Sequence, residues 1–296
     1  MMDRMQAIVS LQARLQEQGY IAERPLAATL LLMNDLQRPL LLEGEAGAGK
    51  TEVAKVLARL HDTECLRLQC YEGLDVHSAI YEWNYQRQLL AIRFLEHDAR
   101  PLAMKEEDIF SERYLLRRPL LESIMRENAV VLLIDEVDRA DEAFEAFLLE
   151  LLSDFQLSIP ELGTIRARSR PWVVLTSNGT RELSDALRRR CLYHYVEYPS
   201  FEKELLIVET RLPQTPVRLA RQLVEVMQEL RQLDLQRKPG VAETLDWTAA
   251  LLRLDIESLD ASSTEALLDT LTAVLKTRSD RASVTPEVLQ RMVAAC

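Results

Sequence analysis

Glycine is sparse in this 296-residue chain, with eight in all, and cysteine is sparser still, with four. Cys65, Cys70, Cys191 and Cys296 fall at no disulfide-framework spacing, which argues against a stapled secreted scaffold and fits a reducing cytoplasm. No apolar run approaches the length of a membrane-spanning helix, so no membrane partner is expected. The opening Met1-Met2-Asp3-Arg4-Met5-Gln6 has no signal-peptide core, and a cytoplasmic location is expected. Internal repeats and low-complexity tracts are missing too. Positive charge is short: 36 Lys and Arg stand against 47 Asp and Glu, a net charge of −11. That balance repels a phosphate backbone, so nucleic acid is a disfavoured partner. The remainder is ordinary for a globular protein, 48% hydrophobic and 28% charged, with chain enough for one large domain or two modest ones.

Three of the few glycines crowd into six positions, in Gly44-Glu45-Ala46-Gly47-Ala48-Gly49-Lys50-Thr51. This is the phosphate-binding pattern G-x-x-x-x-G-K-[ST]. The apolar run Pro39 to Glu43 precedes it as a buried strand, and Glu52 to Leu60 follows with helical periodicity. Strand, loop and helix are the context in which the pattern has a mechanism. Glycines let backbone N–H groups wrap a phosphate, and the helix N-terminus adds partial positive charge. Gly44 through Glu52 are therefore the expected nucleotide cradle. Lys50 is expected to reach the β- and γ-phosphates, and Thr51 to ligate Mg²⁺.

Apolar periodicity predicts helices over residues 3–18, stopped by Gln18-Gly19, and over Glu23 to Gln37. It predicts a strand at Leu66 to Tyr71, a helix from Glu107 to Glu127, a buried strand at Ala129 to Ile134 and a helix from Ala140 to Phe155. Residues 156–167 read as a β-hairpin around Pro160-Glu161-Leu162-Gly163, and Pro171 to Thr176 as another buried strand. Alternating strands and helices imply an α/β fold with a parallel sheet. Beyond about residue 204 only leucine-rich helical periodicity continues, marking a second, all-helical domain. The aromatic-rich stretch Tyr71 to Arg93 resists assignment. Its Trp83 and Tyr85 suit either a surface that grips an extended client chain or core packing.

The strand ending Leu133-Ile134-Asp135-Glu136 places two acids at its C-terminal edge. Asp135 there suits the Mg²⁺ shell, and Glu136 suits orienting and deprotonating an attacking water. Trp172 to Asn178 is a further strand ending in a polar residue. Asn178 either contacts the γ-phosphate or attacking water, or is half of an Asn-Gly turn. In Leu187-Arg188-Arg189-Arg190-Cys191 the arginines form a solvated basic face or supply an arginine finger to a neighbouring subunit. Of His61, Cys65 and Cys70, two lie on or beside an apolar strand, which argues against a metal site. His77, His97 and His194 have no partners at catalytic spacing.

In this order, the phosphate loop, Asp-Glu strand, Asn-ended strand, arginine cluster and helical tail resemble an AAA+ ATPase. The hairpin near 156–167 resembles the pre-sensor hairpin of one AAA+ branch. Within that branch the chain is similar to MoxR-type ATPases. Leu41 to Glu45, Leu68 to Asp75, Tyr81 to Leu90 and Gly240 to Trp247 resemble the CoxD-like subgroup.

The resemblance implies a P-loop NTPase αβα sandwich with a parallel sheet over residues 1–204, followed by an all-α lid over 205–296. It implies a homo-oligomeric, hexameric ring that hydrolyses ATP and acts as a chaperone. The implied adaptor is a von Willebrand factor A domain protein, and the implied client a metalloenzyme such as a molybdenum hydroxylase awaiting its metal cluster. Tyr20-Ile21 matches the place where such proteins pack adenine. By the same likeness the finger is Arg190, with Arg188 the alternative. Many relatives carry a lid arginine that senses nucleotide, whereas Gly240-Val241-Ala242-Glu243-Thr244 has none, leaving Arg253 as a substitute or the lid coupling altered. A DNA-acting motor, a non-catalytic nucleotide switch and a gas-vesicle-like client are the other readings of the same motifs.

Overall fold

The structure, a computed structural model, describes residues 4–75, 79–95, 101–159, 162–260 and 263–295. His77, His97, Cys296 and the Pro160-Glu161 half of the predicted hairpin turn lie outside them. The chain divides into two compact units. One comprises Met1–Arg24, Gly44–Val53 and Val196–Cys296, and the other comprises Pro25–Glu43 and Ala54–Tyr195. The phosphate-loop segment thus groups with the C-terminal helices, which sequence order does not suggest.

The second of these units holds the sheet. Its five strands are β1 (Leu40–Gly44), β2 (Cys65–Gln69), β5 (Val131–Asp135), β8 (Trp172–Ser177) and β9 (Leu192–Val196), in the order β2-β5-β8-β1-β9. The pairs β2/β5, β5/β8 and β8/β1 are parallel, so these strands end at one edge. All five residues of β5 are buried, which is why the sequence shows them as an unbroken apolar run. Helices α6 (Pro119–Met125) and α7 (Glu142–Asp154) cover the sheet with Leu120, Leu121, Ile124, Phe144, Leu148 and Leu151. Strands β6 (Gln156–Ile159) and β7 (Gly163–Arg166) form the expected antiparallel hairpin.

One prediction fails. Glu107 to Glu127 is not a single helix. A helix ends at Ile109, a 3-10 turn spans Glu112–Tyr114, and β4 (Leu115–Arg117) pairs antiparallel with β3 (Tyr81–Trp83) before α6 begins. The cause is Pro119. Proline forces Arg118 into extended backbone (φ −91, ψ 167) and is tolerated only in the first turn of the helix it opens. Tyr114, closing the 3-10 turn, and Leu115, opening β4, are then buried outside any α-helix face. Among its described residues the unassigned stretch contains β3 and helix α4 (Tyr85–Leu95), residues 76–78 lying outside them. Trp83 is core, packed edge-on against Tyr81 and Phe110, while Tyr85 is exposed.

The other unit contains α1 (Arg4–Glu17), the phosphate loop with the first turn of α3 (Lys50–Leu60), and the C-terminal helices. Of the latter, α9 (Phe201–Arg211), α10 (Val217–Gln232) and α11 (Val241–Arg253) matter most below. A core of Leu223, Met227, Leu230, Trp247, Leu251 and Leu289 holds this helical part together. Trp247 is fully buried and satisfies its indole N–H on the Thr270 hydroxyl at 2.9 Å.

Candidate nucleotide site

The phosphate loop leaves β1 at Gly44, where a Cβ would sit 2.1 Å from the Val196 carbonyl oxygen. No other residue fits that approach. Gly49 has φ +92, left-handed backbone that suits glycine, and opens α3. Lys50, the first residue of α3, is buried, and its Nζ donates to the Gly44 carbonyl at 2.6 Å and the Glu45 carbonyl at 2.8 Å. The ammonium is thereby folded back along the loop. Thr51 and Glu52 complete the first turn, and Glu52 pairs with Arg211 at 3.5 Å. Tyr20 follows the left-handed Gly19, within the field of Glu52. Burial first, then the Glu52 and Glu23 carboxylates, push its phenol above the ordinary range. Ile21 beside it is half-buried.

The acids belong to the sheet unit. Asp135 ends β5 nearly buried, its Oδ1 accepting the Thr176 hydroxyl at 2.5 Å. Its Oδ2 accepts from Arg67 of β2, Nη2 at 2.5 Å and Nε at 3.0 Å. Glu136, one residue on, is held in left-handed backbone (φ 55, ψ 49). Such a conformation is strained for any residue with a side chain and persists where surroundings enforce it. Here the Glu136 N–H donates to the same Thr176 hydroxyl oxygen at 2.9 Å. The Glu136 carboxylate collects three donors: Gln69 Nε2 at 3.1 Å, Asn178 Nδ2 at 3.3 Å and Arg139 Nε at 3.0 Å. The predicted Glu136 and Asn178 are thus brought together.

Sequence reading missed five residues of this cluster: Arg67, Gln69, Arg139, Thr176 and Asp138. Asp138 is buried, and its Oδ2 accepts the N–H groups of Asn178 (3.2 Å) and Thr180 (2.9 Å) and the Thr180 hydroxyl (2.6 Å). Burial alone would raise its pKa, but the Thr180 and Asn178 bonds outweigh it and hold the carboxyl below its usual range. Asp138 fixes the backbone that carries Asn178. The only hint in the sequence was a third acid in Asp135-Glu136-Val137-Asp138.

Arg188 and Arg190 sit on the six-residue helix α8 (Asp185–Arg190). Arg188 pairs with Glu43 at 3.1 Å. Arg190 donates to the Ser153 hydroxyl at 2.5 Å and the Ala186 carbonyl at 2.9 Å. Away from these, His61 stacks on Trp172 at 4.1 Å, an aromatic packing role. The buried Cys70 thiol is pushed up to about 12, chiefly by burial and then by Asp135.

The Asp135 carboxylate in the sheet unit and the Thr51 hydroxyl in the other unit are each hard oxygen donors of the kind Mg²⁺ takes. Among the described residues no cluster of three or more His, Cys, Asp or Glu offers an all-protein cage. No described helix is long and apolar enough to cross a membrane.

Among curated proteins the chain is similar to the gas vesicle ATPase GvpN of Haloferax mediterranei. The two are 27% identical over 268 residues, 86% of this chain and 73% of that protein. Gas vesicle ATPase GvpN1 of Halobacterium salinarum is 25% identical over 273 residues, with the same coverages of 86% and 73%. Among solved structures, a mutant RuvB of Thermotoga maritima superposes with a TM-score of 0.50 at 16% identity, covering 86% of this chain and 70% of that one. That likeness speaks to the fold alone, an AAA+ arrangement of parallel sheet and C-terminal helices. Residues 39–191, running from β1 through the arginine helix, match the AAA domain of the dynein-related subfamily, and the chain belongs to that family.

Proposed function

We propose that this protein is a MoxR-type AAA+ ATPase that uses ATP hydrolysis to remodel a client protein. The observation that carries the reading is Glu136. It is held in strained backbone at the end of a buried strand, and its carboxylate receives the Asn178 and Gln69 amides. A carboxylate so fixed orients a water and accepts its proton. Lys50 neutralises charge on the β- and γ-phosphates, and the loop amides of Gly44 to Thr51 bind the phosphate oxygens. Asp135 and Thr51 would hold Mg²⁺, which would supply positive charge to offset that on the phosphate oxygens. Tyr20 and Ile21 flank the adenine. An arginine from the next subunit of a ring, Arg190 or Arg188, completes the site.

For the client, two readings have support. Similarity to GvpN supports an ATPase that serves assembly of a protein structure such as a gas vesicle. The strings Tyr81 to Leu90 and Gly240 to Trp247 support the CoxD-like alternative. There the client is a metalloenzyme, reached through a von Willebrand factor A domain adaptor. The net charge of −11 counts against a DNA motor.

Glu136→Gln decides the chemistry. ATP binding should persist while turnover falls by at least about a hundredfold, and retained turnover removes Glu136 from the role. The same variant, trapped with ATP and used as bait, should retain its adaptor and client. Recovery of structural vesicle proteins or of a molybdenum enzyme separates the two clients.

A further inference from the structure

Within one compact unit, the start of α11 lies directly on the phosphate loop. Val241 N donates to the Gly47 carbonyl at 3.1 Å. A Cβ on Gly240 would stand 2.5 Å from the Gly47 oxygen and 2.6 Å from its Cα, and a Cβ on Gly47 would stand 2.9 Å from the Gly240 Cα. The two backbones meet because both residues are glycine. One position earlier on the loop, the Ala46 carbonyl accepts the Tyr198 hydroxyl at 3.0 Å. The C-terminal segment therefore holds two consecutive loop carbonyls.

Both contacts share one support. The Arg231 guanidinium lies 5.2 Å from the centre of the Tyr198 ring and donates to the Pro239 carbonyl, next to Gly240, at 2.7 Å. Arg231 is buried and bound to the buried Glu204 at 2.5 and 2.6 Å and to Thr244 of α11 at 3.2 Å. The Glu243 carboxylate closes the helix start by accepting from Gly240 N at 2.9 Å. Arg253, by contrast, is exposed at the far end of the 13-residue α11, about 18 Å along the axis from Val241 at 1.5 Å per residue.

In a planar trans peptide, the carbonyl of one residue and the N–H of the next point in opposite directions. Among the described residues no peptide is cis. Holding the Ala46 and Gly47 carbonyls on the C-terminal side turns the N–H groups of Gly47 and Ala48 the other way. Those are two of the amides a phosphate loop presents. Ala48 N meanwhile makes only a long 3.3 Å turn bond, to Glu45 O.

We propose that Tyr198 and Gly240 are positioning residues that set the phosphate-loop amides, with Arg231 as their common support. The helical segment of this chain thereby couples to bound nucleotide through the loop backbone rather than through an arginine on the phosphate. The inference rests on the ATPase reading above.

The test is ADP release from the full-length protein, followed with a fluorescent ADP analogue, alongside kcat and KM for ATP. Tyr198→Phe keeps the ring over Arg231 and loses only the hydroxyl. It should release ADP about three- to tenfold faster and raise KM by a similar factor, with kcat within about twofold. Its melting temperature without nucleotide should be unchanged, and its stabilisation by ADP should shrink. Gly240→Ala, which forces the backbones apart, should release ADP at least about tenfold faster. Should Gly240→Ala not fold, Tyr198→Phe decides alone. Wild-type ADP release and KM in Tyr198→Phe overturn the proposal. A wild-type protein that binds ADP but never hydrolyses ATP would instead refute the ATPase reading, and the ADP-release comparison would still be decided.

Discussion

Arg67 reaches from the edge strand β2 across to β5 and holds Asp135 Oδ2 with two N–H groups, at 2.5 and 3.0 Å. Asp135 is the carboxylate proposed above for the Mg²⁺ shell, so a fixed cation already sits beside it. Arg67 is about half exposed, its side chain at 53%, and solvent screens a pair of that kind to about 1 kcal/mol or less.

The consequence is a modest competition between guanidinium and metal. Arg67→Met should lower the Mg²⁺ concentration that half-saturates ATPase activity by about two- to fivefold, without a comparable change in saturated kcat. A Mg²⁺ titration at fixed ATP checks it. An unchanged midpoint would mean that Arg67 swings away at no cost once metal arrives.

Asn178 and Gln69 meet on opposite oxygens of one carboxylate, Oε1 and Oε2 of Glu136. Losing either should misorient the base more than it weakens binding. Asn178→Ala and Gln69→Ala are each expected to reduce kcat about tenfold or more while KM for ATP moves less than about threefold. Steady-state kinetics of the two variants, with fluorescent nucleotide affinities, separate the effects. A rise in KM at constant kcat would place these side chains on nucleotide rather than on Glu136.

Much of this was legible beforehand, for physical reasons that differ by element. β5 announces itself because a strand buried on both faces admits only apolar residues until its edge, where Asp135 and Glu136 appear. The phosphate loop is local in sequence, so its glycine spacing carries its geometry. Arg67 and Gln69 were not legible. Their role comes from β2 lying beside β5 in the sheet order, which no local pattern records. The same holds for Gly240 against Gly47, where a close approach joins distant parts of the chain. Pro119 was the clue to the broken helix between Glu107 and Glu127, and helical spacing of the leucines around it masked the clue.

Asp138 gives a pH-dependent prediction. Its carboxyl titrates below the usual range in the folded protein, so the folded state favours the charged form. That stabilisation is complete above the unfolded-state value of about 4 and is lost as pH falls through the lower folded value. Asp138→Asn should therefore cost about 1–3 kcal/mol of stability at pH 7. The gap to wild type should stay constant down to about pH 5 and narrow below about pH 4. Denaturant melts at three pH values test this. A gap that widens in acid would reverse the sign and exclude Asp138 as the source.

The choice between Arg188 and Arg190 turns on what each already holds. Arg188 is tied to Glu43, the residue before the phosphate loop, by a charge-assisted contact at 3.1 Å. Arg190 spends its donors on the neutral Ser153 hydroxyl and Ala186 carbonyl, weaker partners to leave when a phosphate from an adjacent subunit approaches. The expected finger is therefore Arg190. Arg190→Ala alone should lose at least about a thousandfold in kcat while still binding ATP. Mixing it with Glu136→Gln tests the action in trans. Wherever an Arg190→Ala subunit supplies Glu136 and a Glu136→Gln neighbour supplies Arg190, an intact site forms. At equal mixing in a ring of identical interfaces that is about a quarter of the sites, so activity should return to roughly that fraction of wild type. Mixtures that stay inert while Arg188→Ala mixtures recover would assign the finger to Arg188, and Arg190 would then be a tether between α8 and α7.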